Sequence, residues 1–215
     1  MATEVFETLR TYDGAPALLG AHLARMGCAD RGLEATVLER LRGVTGDVAI
    51  RIVGDAVELG PLPAESNDPV DVKLTEVPGY AYPVKSTDRA LHDRLLEEAG
   101  TFDVLIVDDR TVVEGARTNV FLLTDDELVT PPLGRCLPGI TRAALLEIAP
   151  ALGLNVRQRP IAPAELFAAD HVLLTNSLRG VRRVGTIDGS SVGGGGAELP
   201  ERLQAALLAH YREQA

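Results

Sequence analysis

Apolar residues recur along this chain with two periods, and the changes between them divide it into helices and strands. Helical spacing appears in "LGAHLARMGCADRGL", "EATVLERLRGV" and "DRALHDRLLEEAG". It appears again after "CLPG", where Ala144, Leu145, Ile148 and Leu152 share one face of a helix that runs to about Gly153. "APAELFAAD" is a short helix, and "LPERLQAALLAHYREQA" closes the chain with Pro200 in its first turn. Alternating or continuous Val, Ile and Leu predict strands in "DVAIRIVGD", "AVELG", "DVKLTEVPG", "DVLIVDDR", "TVVEGART", "NVFLLTDDELVTPP", "NVRQRPI" and on both sides of a break at 176–180. "EVFETLRTY" is a further strand, turned at Asp13-Gly14 toward the first helix. Asp88 is placed to cap the helix that Gly100 stops.

The segment at 78–88, "PGYAYPVKSTD", has two Pro and a Gly and no periodicity, so it reads as a linker. The fold class expected is α/β with an α+β-like division. A small N-terminal α/β lobe covers 1–80, and a larger β-rich lobe with flanking helices covers 81–215. Ligands often settle at such junctions.

Composition narrows what the molecule binds. Its 215 residues carry a formal charge of -10, with no basic surplus for a nucleic-acid backbone. An anionic small substrate therefore needs a local group of Arg within an acidic body. Cys28 and Cys136 are far apart and in no metal-ligand spacing, so both are expected as reduced thiols of a cytosolic protein. "MATEVFETLR" has no leader pattern and no apolar run approaches spanning length, so neither secretion nor a membrane is expected. Of 21 Lys and Arg, only Lys73 and Lys85 are Lys. An amine can shed its proton and act as nucleophile or base, whereas a guanidinium cannot. Lys73 lies in step with Asp71 and Thr75 on the polar face of a strand, which leaves Lys85 for chemistry.

Four features carry chemistry, and each also has an ordinary reading. Lys85 ends the linker. Glu114 closes a run of Val and precedes Gly115, but it also fits an exposed strand position. Gly139-Ile140-Thr141 opens a helix whose N–H groups suit an anion, or is a plain helix start. "TNSLRG" at 175–180 offers hydroxyl, amide and Arg179 donors, or is a polar loop. An amine, a carboxylate and a phosphate cup together match pyridoxal 5′-phosphate. Its aldehyde bonds a lysine, and its ring nitrogen needs an acid beside it.

"HLARM", "VKSTDR", "VVEGARTNVF", "LVTPPLGRCLPGITR" and "ADHVLLTNSLRGV" occur in this order. With them the chain resembles the fold-type IV pyridoxal-phosphate enzymes, a family of branched-chain and D-amino acid aminotransferases and aminodeoxychorismate lyases. The resemblance implies that Lys85 bonds the cofactor and moves the substrate proton. It implies that Glu114 faces the ring nitrogen, and that Arg25, Ile140, Thr141 and Ser177 hold the phosphate. "K-x-x-D-R" and "TNSLRG" look most like the lyases, which release pyruvate and 4-aminobenzoate, the folate precursor, from 4-amino-4-deoxychorismate. Thr8 is then a candidate acid beside Lys85. Arg10, Arg89, Arg117 and Arg179 are candidates for the carboxylates of a small anionic amine substrate. An aminotransferase on the same fold is the alternative, and a cofactor-free paralogue a third. The resemblance also implies a homodimer.

Overall fold

The alternation of Phe6–Tyr12 (β1) puts Glu7, Leu9 and Thr11 on one face, and that face is fully buried. In this computed structural model, which describes residues 4–27 and 31–214, β1 lies within a four-stranded antiparallel sheet. Its partners are β2 (Ala15–Pro16), β3 (Ala49–Val53) and β4 (Ala56–Gly60), in the order β2-β1-β3-β4. Leu9, Ile50 and Ile52 pack against Leu19 and Leu23 of α1 (Leu19–Arg25) and Val37 of α2 (Arg31–Arg40). The helical pattern expected to run through 19–33 is broken: α1 ends at Arg25 and Gly27 turns left-handed at φ 76. Cys28 lies outside the described residues.

The rest of the chain builds one nine-stranded sheet. In chain order it contributes β5 (Val70–Glu76), α3 (Ala90–Ala99), β6 (Asp103–Asp108), β7 (Thr111–Gly115), β8 (Asn119–Thr124) and β9 (Glu127–Thr130). Then come α4 (Ile140–Ile148) with a 3₁₀ turn at Ala149–Leu152, β10 (Asn155–Gln158), α5 (Pro163–Ala168), β11 (His171–Asn176), β12 (Gly180–Ile187), β13 (Ser190–Ser191) and α6 (Glu198–Glu213). The spatial order is β10-β9-β8-β11-β12-β5-β6-β7, with β13 on β12. The periodicity groups β5 with the strands before the linker, yet its ladder partners are β6 and β12 of the large sheet. Lys73 on it is exposed, as its place on the polar face predicts.

Both faces of this sheet are covered, which explains its continuous apolar runs. Val120 and Leu122 face a core with Leu105 and Ile161, while Phe121 and Leu123 face α4 and α6 through Leu145, Leu203 and Leu207. Each such buried side chain stabilises the fold by roughly 1.5–3 kcal/mol. The N-cap of α3 is Arg89 and not Asp88, and no side chain caps its first turn; Gly100 ends it at φ 62. The two sheets are joined beside Lys85: the Phe6 N–H donates to the Lys85 carbonyl at 3.0 Å and the Thr87 N–H to the Glu4 carbonyl at 2.7 Å. Among the described residues no helix is long and apolar enough to cross a membrane.

Candidate active site

Where β1 meets the ends of β7, β8 and β11, a cavity of about 330 Å³ opens. Thr8, Arg25, Lys85, Arg89, Glu114, Arg117, Ile140, Thr141 and Ser177 all line it. Arg10 and Arg179 do not; they line a neighbouring cavity of about 570 Å³. Arg10 donates to the Leu178 carbonyl at 3.2 Å and its guanidinium lies over the Tyr12 ring. Arg179 donates to the Ala64 carbonyl at 3.2 Å.

Lys85 is mostly buried, with Nζ over the Phe6 ring and 3.8 Å from Glu7 Oε2. Burial lowers its pKa to about 8; Glu7 opposes that shift, and Arg25, Arg89 and Arg51 add to it. Glu7 anchors this side of the cavity. Burial alone would raise its carboxyl, but hydrogen bonds from His22 and Arg25 hold it down at about 2. Arg25 donates to both Glu7 oxygens at 2.7 Å and His22 Nδ1 lies 2.8 Å from Oε2. Burial lowers the His22 pKa and Glu7 opposes that shift; the Glu7 carboxylate can only accept, so Nδ1 carries the hydrogen between them. A third Arg25 bond reaches the Pro138 carbonyl at 2.9 Å, setting the guanidinium beside the start of α4 with N–H groups left over.

Glu114 also lines the cavity and is 3 % exposed. Its Oε2 accepts the Leu137 N–H at 3.0 Å and an Asn119 N–H at 3.4 Å, and its Oε1 accepts the Tyr80 hydroxyl at 2.8 Å. Burial, the dominant effect, raises its pKa to about 8. The adjoining turn has no room for a side chain at Gly115, where a Cβ would strike Thr118 Oγ1 and Asp103 Oδ2.

The start of α4 lines the same cavity. Gly139 is its N-cap and no side chain caps it, so the first N–H groups remain available as anion donors. Thr141 Oγ1 accepts from Tyr211 at 2.9 Å and faces Ser177 Oγ at 3.4 Å. Thr175 Oγ1 also lines the cavity and is buried with no partner among the described residues. An amine, a carboxylate, and uncapped N–H donors with hydroxyls and Arg25 around one cavity form a donor set that fits pyridoxal phosphate. Sequence reasoning missed Glu7, Asn119, Tyr80 and Tyr211, while Thr175 lay within the "TNSLRG" segment it had singled out. Only Glu7 carried a signal, standing in step with Leu9 on the apolar face of β1.

Comparison with known proteins defines the class. Residues 61–187, more than half of the chain, match the family Amino-transferase class IV, and the chain belongs to that family. It is 25% identical over 242 residues to a D-alanine aminotransferase of Bacillus licheniformis, covering 94% of this chain and 86% of the relative. A branched-chain-amino-acid aminotransferase of Escherichia coli is 36% identical over 99 residues, 45% of this chain and 32% of the relative, so the match spans about a third of that protein. Among solved structures, the PLP-bound form of a hypothetical aminotransferase from Mycobacterium tuberculosis superposes with a TM-score of 0.86 at 26% identity, over 99% of this chain and 90% of that one. A candidate 4-amino-4-deoxychorismate lyase from Legionella pneumophila shares the fold at a TM-score of 0.78 and 21% identity, over 99% and 91%.

Proposed function

We propose that this chain is a pyridoxal-phosphate-dependent aminotransferase that moves an amino group between a small amino acid and a keto acid. The supporting observation is the enclosure of Lys85, Glu114 and the uncapped start of α4 around one cavity, in a chain whose full-length relative is a D-alanine aminotransferase. Bound there, the cofactor supplies an aldehyde that condenses with amines and a ring that withdraws electrons from the amine-bearing carbon.

This chain's residues do the rest. With its pKa lowered to about 8, Lys85 has an appreciable neutral fraction near pH 7, so Nζ serves as nucleophile and then as the base that takes and returns the carbon-bound proton. Glu114 would face the cofactor's ring nitrogen, where its carboxyl could supply a proton and then the negative charge beside it. The first N–H groups of α4, Thr141, Ser177 and Arg25 bind the phosphate. Arg89, fixed by a 2.9 Å bond to the Ala116 carbonyl, and Arg117 face the cavity as carboxylate partners. Family resemblance adds a homodimer, which sedimentation would measure.

The lyase is the second reading, favoured by "KSTDR" and "TNSLRG", with Thr8 placed on the cavity wall as a proton donor. One assay separates the two. The holoenzyme is incubated with D-alanine or branched-chain amino acids plus 2-oxoglutarate, and in parallel with 4-amino-4-deoxychorismate. Glutamate formation supports the aminotransferase; equal amounts of pyruvate and 4-aminobenzoate without glutamate would replace it with the lyase.

A further inference from the structure

From Glu114 a chain of polar groups runs into the core. Tyr80 comes from the linker and His92 from α3; both are 4 % exposed. The Tyr80 hydroxyl donates to Glu114 Oε1 at 2.8 Å, and His92 Nε2 lies 2.9 Å from the same hydroxyl. The imidazole is held between rings, with Tyr82 at 4.4 Å and Tyr80 at 5.8 Å between centroids. Neither side chain is needed for packing alone, since a Phe and a Leu would fill similar volumes without burying polar atoms.

We infer that Tyr80 and His92 form a positioning relay that orients Glu114 and stabilises its charged form. A phenol has one hydrogen. If Tyr80 gives it to the Glu114 carboxylate, its oxygen must accept from His92, which fixes the neutral Nε2–H tautomer and leaves Nδ1 bare. His92 Nδ1 is a buried atom with no partner among the described residues. Burial lowers His92 to about 4, so it stays neutral across the working range. The other groups that act on Glu114 are Asp103 on β6, which raises its pKa, and Arg89 ahead of α3, which lowers it. The buried Cys136 thiol lies on the loop before α4 and is itself raised by burial first and by Glu114 second. Among the described residues, only Tyr80 and His92 form a hydrogen-bonded file ending on Oε1.

The relay rests on the reading of Glu114 as the partner of the ring nitrogen, and its test keeps the two apart. NMR of apo-protein carrying ¹³C-labelled glutamate follows the Glu114 carboxyl directly, assigned by its loss in Glu114→Gln. Removing a hydrogen bond to a charged group by Tyr80→Phe should raise its midpoint by at least about one unit. His92→Leu should raise it less, and His92→Gln, which keeps an N–H donor, should return it toward wild type. In wild-type protein above the Glu114 midpoint, ¹⁵N shifts should show His92 as Nε2–H. With pyridoxal phosphate added, the Tyr80→Phe dissociation constant should rise roughly tenfold at neutral pH. An unmoved Glu114 midpoint in Tyr80→Phe, or an Nδ1–H tautomer in wild type, overturns the relay. Wild-type protein that fails to bind pyridoxal phosphate overturns the cofactor reading instead, while the NMR measurements still decide the relay.

Discussion

Three buried ionisable groups at the cavity have folded-state pKa values displaced by different forces, so each contributes to stability in its own pH window. Glu7 sits at about 2, below its ordinary 4.5. Its contribution is present above pH 4.5 and is lost as pH falls through that value toward 2. Glu114 is displaced from 4.5 up to about 8, so its protonated form is the compatible one; that contribution is present below 4.5 and is lost as pH rises through 8. Lys85, displaced from 10.5 to about 8, carries its full cost below pH 8 and is relieved between 8 and 10.5. Urea unfolding of apo-protein between pH 5 and 8 should therefore show a downward slope from Glu114 that Glu114→Gln removes. Glu7→Gln leaves Arg25 buried without its full counter-charge and should cost about 3 kcal/mol, read in the same experiment. Lys85→Ala should abolish the visible absorbance of lysine-bound cofactor and reduce turnover to background. Lys85 and Glu114 were legible in the sequence because an amine is rare here and a carboxylate at the end of a Val run is conspicuous. Glu7 escaped notice because its role depends on His22 and Arg25, fifteen and eighteen residues away, being folded onto it.

Among the elements, α4 shows how closely a helix start can be fitted to its neighbours. A Cβ at Gly139 would overlap Asn119 Oδ1 and come within 3.2 Å of Arg142 Cβ. Asn119 in turn bonds the Leu137 carbonyl at 2.9 Å and Glu114 Oε2, so the approach to α4 and the Glu114 carboxyl share one amide. Gly139→Ala should cost about 1–3 kcal/mol in thermal unfolding and weaken pyridoxal-phosphate binding together with it. The Pro138-Gly139 break and the apolar spacing after it located this helix in the sequence. The same reasoning ran the first helix too far, because periodicity continues across residues where the backbone turns at Gly27. It also placed Asp88 at a cap that Arg89 occupies: capping preference favours Asp, but the helix starts one residue later with no side chain bonded to its first turn.

For the whole molecule, the α/β architecture was legible from alternating periods, but the strand order was not. Nothing local in "DVKLTEVPG" states that it pairs in parallel with β6, the next strand along the chain, and with β12, more than a hundred residues away. The assembled cavity joins both sheets, with Thr8 and Arg25 on one side and Glu114, Thr141 and Ser177 on the other. Pyridoxal phosphate at about a hundred times its dissociation constant should raise unfolding stability by about 2.7 kcal/mol, measurable as a shift in the denaturant midpoint. The bonds from Phe6 to Lys85 and from Thr87 to Glu4 add a mechanical consequence. They fasten the backbone of the lysine to β1, whereas Glu114 and the start of α4 belong to the large sheet and its helix. A cofactor held by both would therefore be a tether between the two sheets. Swinging the small sheet outward would carry Nζ, Glu7 and Thr8 away as one unit and put that tether under tension.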